Sequence, residues 1–457
     1  MALIAFLGSR PGFLLLAALT IAAYGSLGWY THERGSAIDL GLLMPFLPLL
    51  ALPSLVVAVS LVRKAAAVSL STIFVVGVLL RAVFLGHDPL LSDDVYRYLW
   101  DGRVQVAAGQ PYGIAPADPR LDHVEELWDD HVRELVNHPE IPTVYPPLLQ
   151  LLYAGVAHVG GGLVLWRVVL LLFDMGIAVV MVRALRSRGR NPCWVVLYLW
   201  HPLPIIETFW SAHAEGVAVF FLLVAVTALQ LGRGIVGAVA LALGGVAKLL
   251  PFGLVPFLVR RFGWTMVLIV GLAALVPMIP YVDVDWSAAT EGLDKYAEGW
   301  YFNDVLYRFL GYAIGIDPED RTLTSTQILR KSMQAAWVVV CLWAAWRLRD
   351  PFRAALWVTA AFVVLTPTLH PWYLLWLLPF AIVVGSRAGY LITVTVLMSY
   401  VAKAGQLDSG VWEEATVVRV LEYVPVLGLL LWDTFTARVS EPPAAVPAEP
   451  LSEQPSG

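Results

Sequence analysis

Apolar runs close to the length of a membrane-crossing helix recur along this chain from residue 12 to residue 434. A hydrocarbon core about 30 Å thick takes roughly 20 apolar residues of helix, and lipid admits only elements that satisfy their own backbone groups. Of the 457 residues 59% are hydrophobic and only 14% charged, where soluble domains run near a quarter charged. A soluble fold has no way to cover that much apolar surface. The chain is therefore expected to be an all-α integral membrane protein, multi-pass in the plasma membrane, with the lipid bilayer as its solvent. Some runs, such as 146–160 and 372–385, are short for a span. The expectation is 11 to 14 transmembrane segments, some broken or re-entrant where protein covers the freed backbone.

Basic residues orient the bundle. Arg10, Arg63 with Lys64, Arg260 with Arg261, Arg347 with Arg349, and Arg387 suit cytoplasmic ends. Residues 87–145 and 282–332, the two polar interruptions, then form outer loops on the non-cytoplasmic side. Arg186, Arg188 and Arg190 break simple alternation, so either the charge rule fails there or the segment 146–160 is re-entrant. The expected organisation is an amino-terminal transmembrane hairpin region over 1–65, a transmembrane core over 66–435 and a disordered tail over 436–457, rich in Pro, Ala and Glu. The run Gly12 to Tyr30 lacks a small-residue cleavage pattern and reads as a retained helix. Cys193 and Cys341 both lie in apolar runs, which argues against a disulfide framework or thiolate metal cluster. No metal, cofactor or nucleic-acid partner is expected.

The first outer loop holds twelve of the 35 acidic residues and four of the nine histidines. Its part from Leu121 to Leu135 has the spacing of an amphipathic helix lying at the interface. Ahead of it runs Ser92-Asp93-Asp94-Val95-Tyr96-Arg97-Tyr98-Leu99-Trp100-Asp101. On a helix Asp94, Arg97, Tyr98 and Asp101 share one face. Ser92 would cap that helix, and Asp93 and Asp94 would sit in its first turn, where the macrodipole favours anions. That is a sufficient structural reason for the acids. The same field keeps a carboxylate ionised, so Asp94, or Asp93 beside it, can also serve as a general base toward a sugar hydroxyl.

Charges inside apolar runs are costly and mark sites by default. Lys248 precedes the helix-breaking Pro251; it either snorkels to an interface or holds a phosphate. Glu207, His213 and Glu215 follow Trp200-His201-Pro202-Leu203-Pro204, and His213 and Glu215 do not share a helical face, which weighs against a metal site. In Thr366-Pro367-Thr368-Leu369-His370-Pro371-Trp372-Tyr373, the aromatic residues suit an interfacial belt. A belt has no need of His370, which can donate to a phosphate or steer a hydroxyl. Asn303 in Tyr301-Phe302-Asn303-Asp304 offers an amide for sugar hydroxyls.

Taken in order, these pieces resemble the GT-C superfamily of polytopic glycosyltransferases, and within it the polyprenyl-phosphate-mannose-dependent mannosyltransferases of glycosyltransferase family 87. The resemblance covers roughly residues 66 to 405. It rests on Asp93-Asp94-Val95-Tyr96-Arg97-Tyr98, Gly109-Gln110-Pro111-Tyr112, Tyr145-Pro146-Pro147-Leu148, His201-Pro202-Leu203 with Glu207 and His213, Lys248-Leu249-Leu250-Pro251 and His370-Pro371-Trp372-Tyr373. In that family the acidic loop usually follows the first span, whereas three apolar segments precede it here. The resemblance implies a GT-C-like bundle and an inverting transfer of a sugar, mannose in the first place, from a polyprenyl-phosphate sugar donor to a glycan or glycolipid acceptor of the cell envelope. It implies Asp94 and Asp93 as catalytic, and Arg97, Tyr98, Lys248, His370, Tyr373, Glu207, His213 and Asn303 as substrate-binding. A nucleotide-sugar enzyme would want a Rossmann-like domain with a glycine-rich phosphate loop, and none is present. The rival is a transporter or flippase of a lipid-linked sugar, but the halves show no internal repeat.

Overall fold

A computed structural model describes residues 6, 9–34, 43–63, 68–128, 131–290, 292, 300–320, 323–403, 405 and 415–439. Helix accounts for its regular structure; the bridge between Phe302 and Thr368 stands outside any named strand. The amino-terminal helices are α1 (Arg10–Arg34), α2 (Leu52–Val62) and α3 (Leu70–Ala82). The polar stretch 87–145 contributes α4 (Asp94–Ala108) and leads into α5 (Pro147–His158). Then come α6 (Leu163–Ser187), α7 (Glu215–Gln230), α8 (Gly234–Gly245), α9 (Val255–Phe262) and α10 (Thr265–Leu275). The carboxy-terminal part holds α11 (Val305–Ala313), α12 (Thr324–Arg347), α13 (Pro351–Leu365), α14 (Leu378–Val384), α15 (Arg387–Thr395) and α16 (Thr416–Val439).

Among the described residues, four helices are long and apolar enough to cross a membrane: Arg10–Glu33, Met44–Val62, Leu163–Ser187 and Thr324–Arg347. Six other apolar helices are shorter. Prolines account for much of that shortening: Pro277 and Pro280 turn the end of α10 into a tighter 3-10 stretch, Val276–Tyr281, and Pro371 opens another before α14. Helix starts follow local chemistry. Ser69 accepts from the Thr72 amide at the head of α3, and Asp350 accepts from the Phe352 amide at the head of α13, with Pro351 in the first helical position.

The chain's basic turns gather at one end. Arg188 pairs with Asp350 at 2.7 Å, Arg190 donates to the carbonyls of Ile382 and Val383, and Arg260 donates to those of Ala345 and Leu348. At the other end, Arg167 near the start of α6 donates to the carbonyls of Leu85 and Trp210. The helix α6 thus runs from the end where α3 finishes to the end where Arg347 lies. A helix of twelve residues such as α5 is only about 18 Å long, too short to cross.

Three further expectations meet the structure here. The amphipathic pattern from Leu121 to Leu135 does not make one helix: a single α-helical turn, Asp122–Glu125, and a 3-10 turn, Val132–Leu135, flank His131 in a left-handed conformation at φ 51°. Leu121 and Val124 are buried, but Leu127 and Leu135 are exposed, so the presumed apolar face is divided. The described part of residues 1–65 packs into the same core as the rest; Phe13 stacks on Trp200 at 5.5 Å and the Ser54 hydroxyl lies 3.2 Å from that of Tyr390. The helix α16 reaches Val439, and the remainder of the expected tail lies outside the described residues.

A buried ion pair joins two apolar helices. Arg81 on α3 pairs with Asp174 on α6, both essentially fully buried, and Tyr198 donates to the second Asp174 oxygen at 2.6 Å. Arg81 also donates to the carbonyls of Gly77 and Leu199. The charges survive in an apolar bundle because each faces the other and most of their hydrogen-bonding positions are met by protein, Nη2 of Arg81 being left without a partner.

Candidate active site

The helix α4 begins at Asp94, one residue later than the sequence places it. Asp93 occupies the cap position without making a side-chain cap bond, and Ser92 instead accepts from the Asp94 amide at 3.3 Å. One turn beyond Tyr98, α4 lies against α5 so closely that a Cβ on Gly102 would fall 2.3 Å from the Tyr153 carbonyl oxygen. This contact fixes the height at which the acidic face of α4 meets the bundle.

Asp94 is part-exposed at that face. Its Oδ1 accepts from the Asn137 amide at 2.9 Å, and its Oδ2 lies 3.8 Å from His213 Nδ1. Tyr98, one turn on, stands 3.4 Å from the same nitrogen. Burial holds the phenols of Tyr98 and Tyr145 well above their ordinary range, so both are neutral hydroxyls at working pH. The Tyr98 ring stacks on Tyr153 at 5.0 Å and meets Tyr145 edge-on at 4.9 Å, which walls one side of the pocket.

His213 is placed by irregular backbone. Residues Ile205–Trp210 form a π-helix, Ala212 follows in a left-handed conformation at φ 59°, and the His213 amide donates to the Glu207 carbonyl at 2.8 Å. Both features are uncommon and tend to occur at functional sites. They bring His213 Nε2 to 3.6 Å from Glu207 Oε2, with both side chains fully buried. The Tyr400 hydroxyl lies 2.9 Å from each Glu207 carboxylate oxygen.

Lys248 closes another side. Its ammonium lies 2.8 Å from Glu215 and 5.0 Å from the centre of the Tyr145 ring, and its side chain keeps about a quarter of its surface exposed. It is therefore partnered, not snorkelling alone. His370 stands in a ladder of four rings: Phe302 at 5.0 Å on one side, Trp372 at 4.2 Å on the other, and then His213 at 4.0 Å beyond Trp372. Tyr373 meets His370 edge-on at 5.9 Å.

Asp94, Tyr98, Glu207, His213, Lys248 and His370 thus converge from distant parts of the chain. The others stand on the flanks. Asp93 is half-exposed at the rim, 3.7 Å from Lys403. Arg97 is neutralised by Asp101 at 2.7 Å and donates to the Ile141 carbonyl at 2.9 Å, while Gln150 of α5 donates to Asp101 at 2.9 Å. That network ties α4 to the loop and to α5. Asn303, at φ 50°, donates to Glu422 of α16 at 2.7 Å. Sequence reasoning passed over Tyr400, Trp372, Asn137 and Lys403 as site residues. It also passed over Glu125, His131 and Glu134, whose ligand atoms lie near one another on the outer loop, although Arg133 already holds Glu125 at 3.0 Å.

An all-helical membrane protein in which acidic, tyrosine and histidine side chains and a lysine gather against the helix α4 is the class these features define. Residues 1–266 match the family model described as alpha-(1->6)-mannopyranosyltransferase, N-terminal domain, and residues 305–421 match that described as MptB C-terminal domain. The chain belongs to this alpha-(1->6)-mannopyranosyltransferase family. Over 339 residues it is 26% identical to alpha-(1->6)-mannopyranosyltransferase B of Corynebacterium glutamicum, an alignment covering 63% of this chain and 54% of that protein. The chain thus spans about half the length of the curated relative it matches. No solved structure matches it. The resemblance to a mannosyltransferase family read from the motifs is borne out.

Proposed function

We propose that this chain is a mannosyltransferase that moves mannose, with inversion, from a polyprenyl-phosphate donor to a hydroxyl of a cell-envelope glycan or glycolipid, on the non-cytoplasmic face of the plasma membrane. The name of its relative favours an α-(1→6) linkage. The fold that goes with this reading is a GT-C-like bundle of 11 to 14 segments, with region 1–65 packed onto a core of 66–435. A polyprenyl donor stays in the bilayer, so its phosphate must be met at the membrane surface, where the outer-loop helix α4 sits.

The observation that carries the reading is Asp94: a part-exposed carboxylate at a helix start, held by Asn137 and backed by a buried histidine. As the acceptor oxygen attacks the anomeric carbon, its proton passes to the Asp94 carboxylate. The bond from that carbon to the phosphate oxygen breaks, and the electron pair leaves with the phosphate. Lys248 has two ammonium protons beyond the one directed at Glu215, and they serve the growing charge on the leaving group. The tyrosine wall of Tyr98, Tyr145 and Tyr153 limits water. Transfer by the purified protein in nanodiscs tests this: Asp94→Asn should lower turnover by about a hundredfold or more, the scale for losing a positioned base. Near-normal turnover in Asp94→Asn with loss in Asp93→Asn would move the role to Asp93; activity in both would overturn the reading.

A further inference from the structure

Behind Asp94 the side chains continue as a line of ionisable groups into the interior. His213 presents Nδ1 to Asp94 at 3.8 Å and Nε2 to Glu207 at 3.6 Å. No hydrogen bond is made by Nε2, although the atom is fully buried. The imidazole has no exposed surface, and one face is covered by the Trp372 indole. It cannot touch a substrate as placed, so any part it has in transfer is exerted through Asp94. Around it also stand Tyr98 on α4, Lys248 after α8, and His370 beyond Trp372, while Tyr400 reaches Glu207.

This is the arrangement of a base, an imidazole and a buried orienting carboxylate in line, the pattern by which proton-accepting groups are tuned on unrelated folds. The Ile205–Trp210 π-helix and the left-handed Ala212 produce it at a cost in backbone strain. Such strain persists only where surrounding structure enforces it. Here Trp166 donates to the Ala212 carbonyl at 2.9 Å, and the Glu207 carbonyl holds the His213 amide.

We propose that His213, oriented by Glu207, takes from Asp94 the proton that Asp94 has removed from the acceptor hydroxyl. The inference rests on the reading of Asp94 as base. The balance is simple. The acceptor O–H bond breaks and an O–H bond forms on Asp94; that bond then breaks as an N–H bond forms at His213 Nδ1. Asp94 becomes a carboxylate again, and the new N–H at Nδ1 faces it. A proton left on Asp94 is free to return to the new glycosidic oxygen, whereas one moved to His213 is not. After the product leaves, the proton passes back through the exposed edge of Asp94 to water. The resting distance of 3.8 Å shortens on substrate binding, as catalytic hydrogen bonds commonly do. Glu207 is a positioning residue in this scheme: once the 3.6 Å gap closes to a hydrogen bond from Nε2–H, the Nδ1 lone pair is left toward Asp94.

The test uses the full chain in nanodiscs with polyprenyl-phosphate mannose and a synthetic mannoside acceptor. His213→Ala should lower kcat by about a hundredfold with KM little changed, and added imidazole should restore part of that loss. His213→Gln, which fills the space but carries no proton, should show the same loss and no rescue. Glu207→Gln should lower kcat less and not respond to imidazole. Thermal unfolding of each variant separates loss of fold from loss of transfer. Full activity in His213→Gln overturns the relay, as does a loss in folded His213→Ala that imidazole fails to touch. An inactive Asp94→Asn beside an active His213→Gln defeats the relay alone; an active Asp94→Asn defeats the base reading beneath it.

Discussion

Lys248 lies 2.8 Å from Glu215, the first residue of α7, so its charge is neutralised before any substrate arrives. A leaving phosphate must therefore share the ammonium with a buried carboxylate that is otherwise left alone. Lys248→Met removes the cation and strands Glu215, so it should weaken polyprenyl-phosphate binding and lower the unfolding temperature together. Lys248→Met combined with Glu215→Gln should recover the fold but not the affinity. Binding of polyprenyl phosphate in nanodiscs measures this, and unchanged affinity in the double variant would remove Lys248 from the phosphate site. Lys248→Arg should rescue only in part, because a planar fork does not replace a compact point charge.

Gly102 sets the spacing of α4 and α5. A methyl group there would overlap the Tyr153 carbonyl, and because the obstacle is backbone, the helices must part. Gly102→Ala should destabilise by about 1–3 kcal/mol, the usual range for overpacking. Activity should fall further than stability accounts for, since Asp94 moves with α4. Thermal unfolding and turnover of the same preparation decide it; a variant with both unchanged would show that the helices are free to separate.

The ion pair of Arg81 with Asp174 is buried on both sides. Breaking it by Arg81→Met should cost about 3–5 kcal/mol, because an uncompensated carboxylate remains in the bundle. Arg81→Met with Asp174→Leu should return most of that loss. A double-mutant cycle on unfolding gives the answer, and additive effects would mean that the two charges do not depend on one another.

The clustering of Arg188, Arg190 and Arg260 at one end predicts sidedness. Cysteines introduced at Arg120 on the outer loop and at Arg186 should behave oppositely toward an impermeant thiol reagent in intact cells. Labelling is expected at position 120 alone, because native Cys193 and Cys341 are buried. Labelling at 186 alone would put the pocket on the cytoplasmic side and remove the proposed orientation.

Much of α4 was legible because its signals are local: a serine, two acids and a face repeating at three and four residues. His213 and Glu207 were named from sequence but not as neighbours. Six residues apart on a regular helix, their side chains diverge by about 120°, and only the π-helix and the left-handed Ala212 turn them together. Alternation in the apolar pattern says nothing of either. Arg81 and Asp174 were hidden for another reason: each is a lone charge in an apolar run, and the partner is 93 residues away. The segment from Leu121 to Leu135 misled in the opposite direction, since helical spacing was real but His131 reverses the backbone between its two turns.

The ladder of Phe302, His370, Trp372 and His213 has an evolutionary consequence. His213 falls within the part of the chain matched by one family model, and His370 and Trp372 within the part matched by the other, as does Tyr400, which holds Glu207. Rings stacked at 4.0 to 5.0 Å leave no slack between members. The halves therefore cannot be exchanged between relatives as cassettes. A chimera joined between residues 266 and 305 would inherit an imidazole from one parent and its supporting indole from another, and the two would have to be matched in register before either could work.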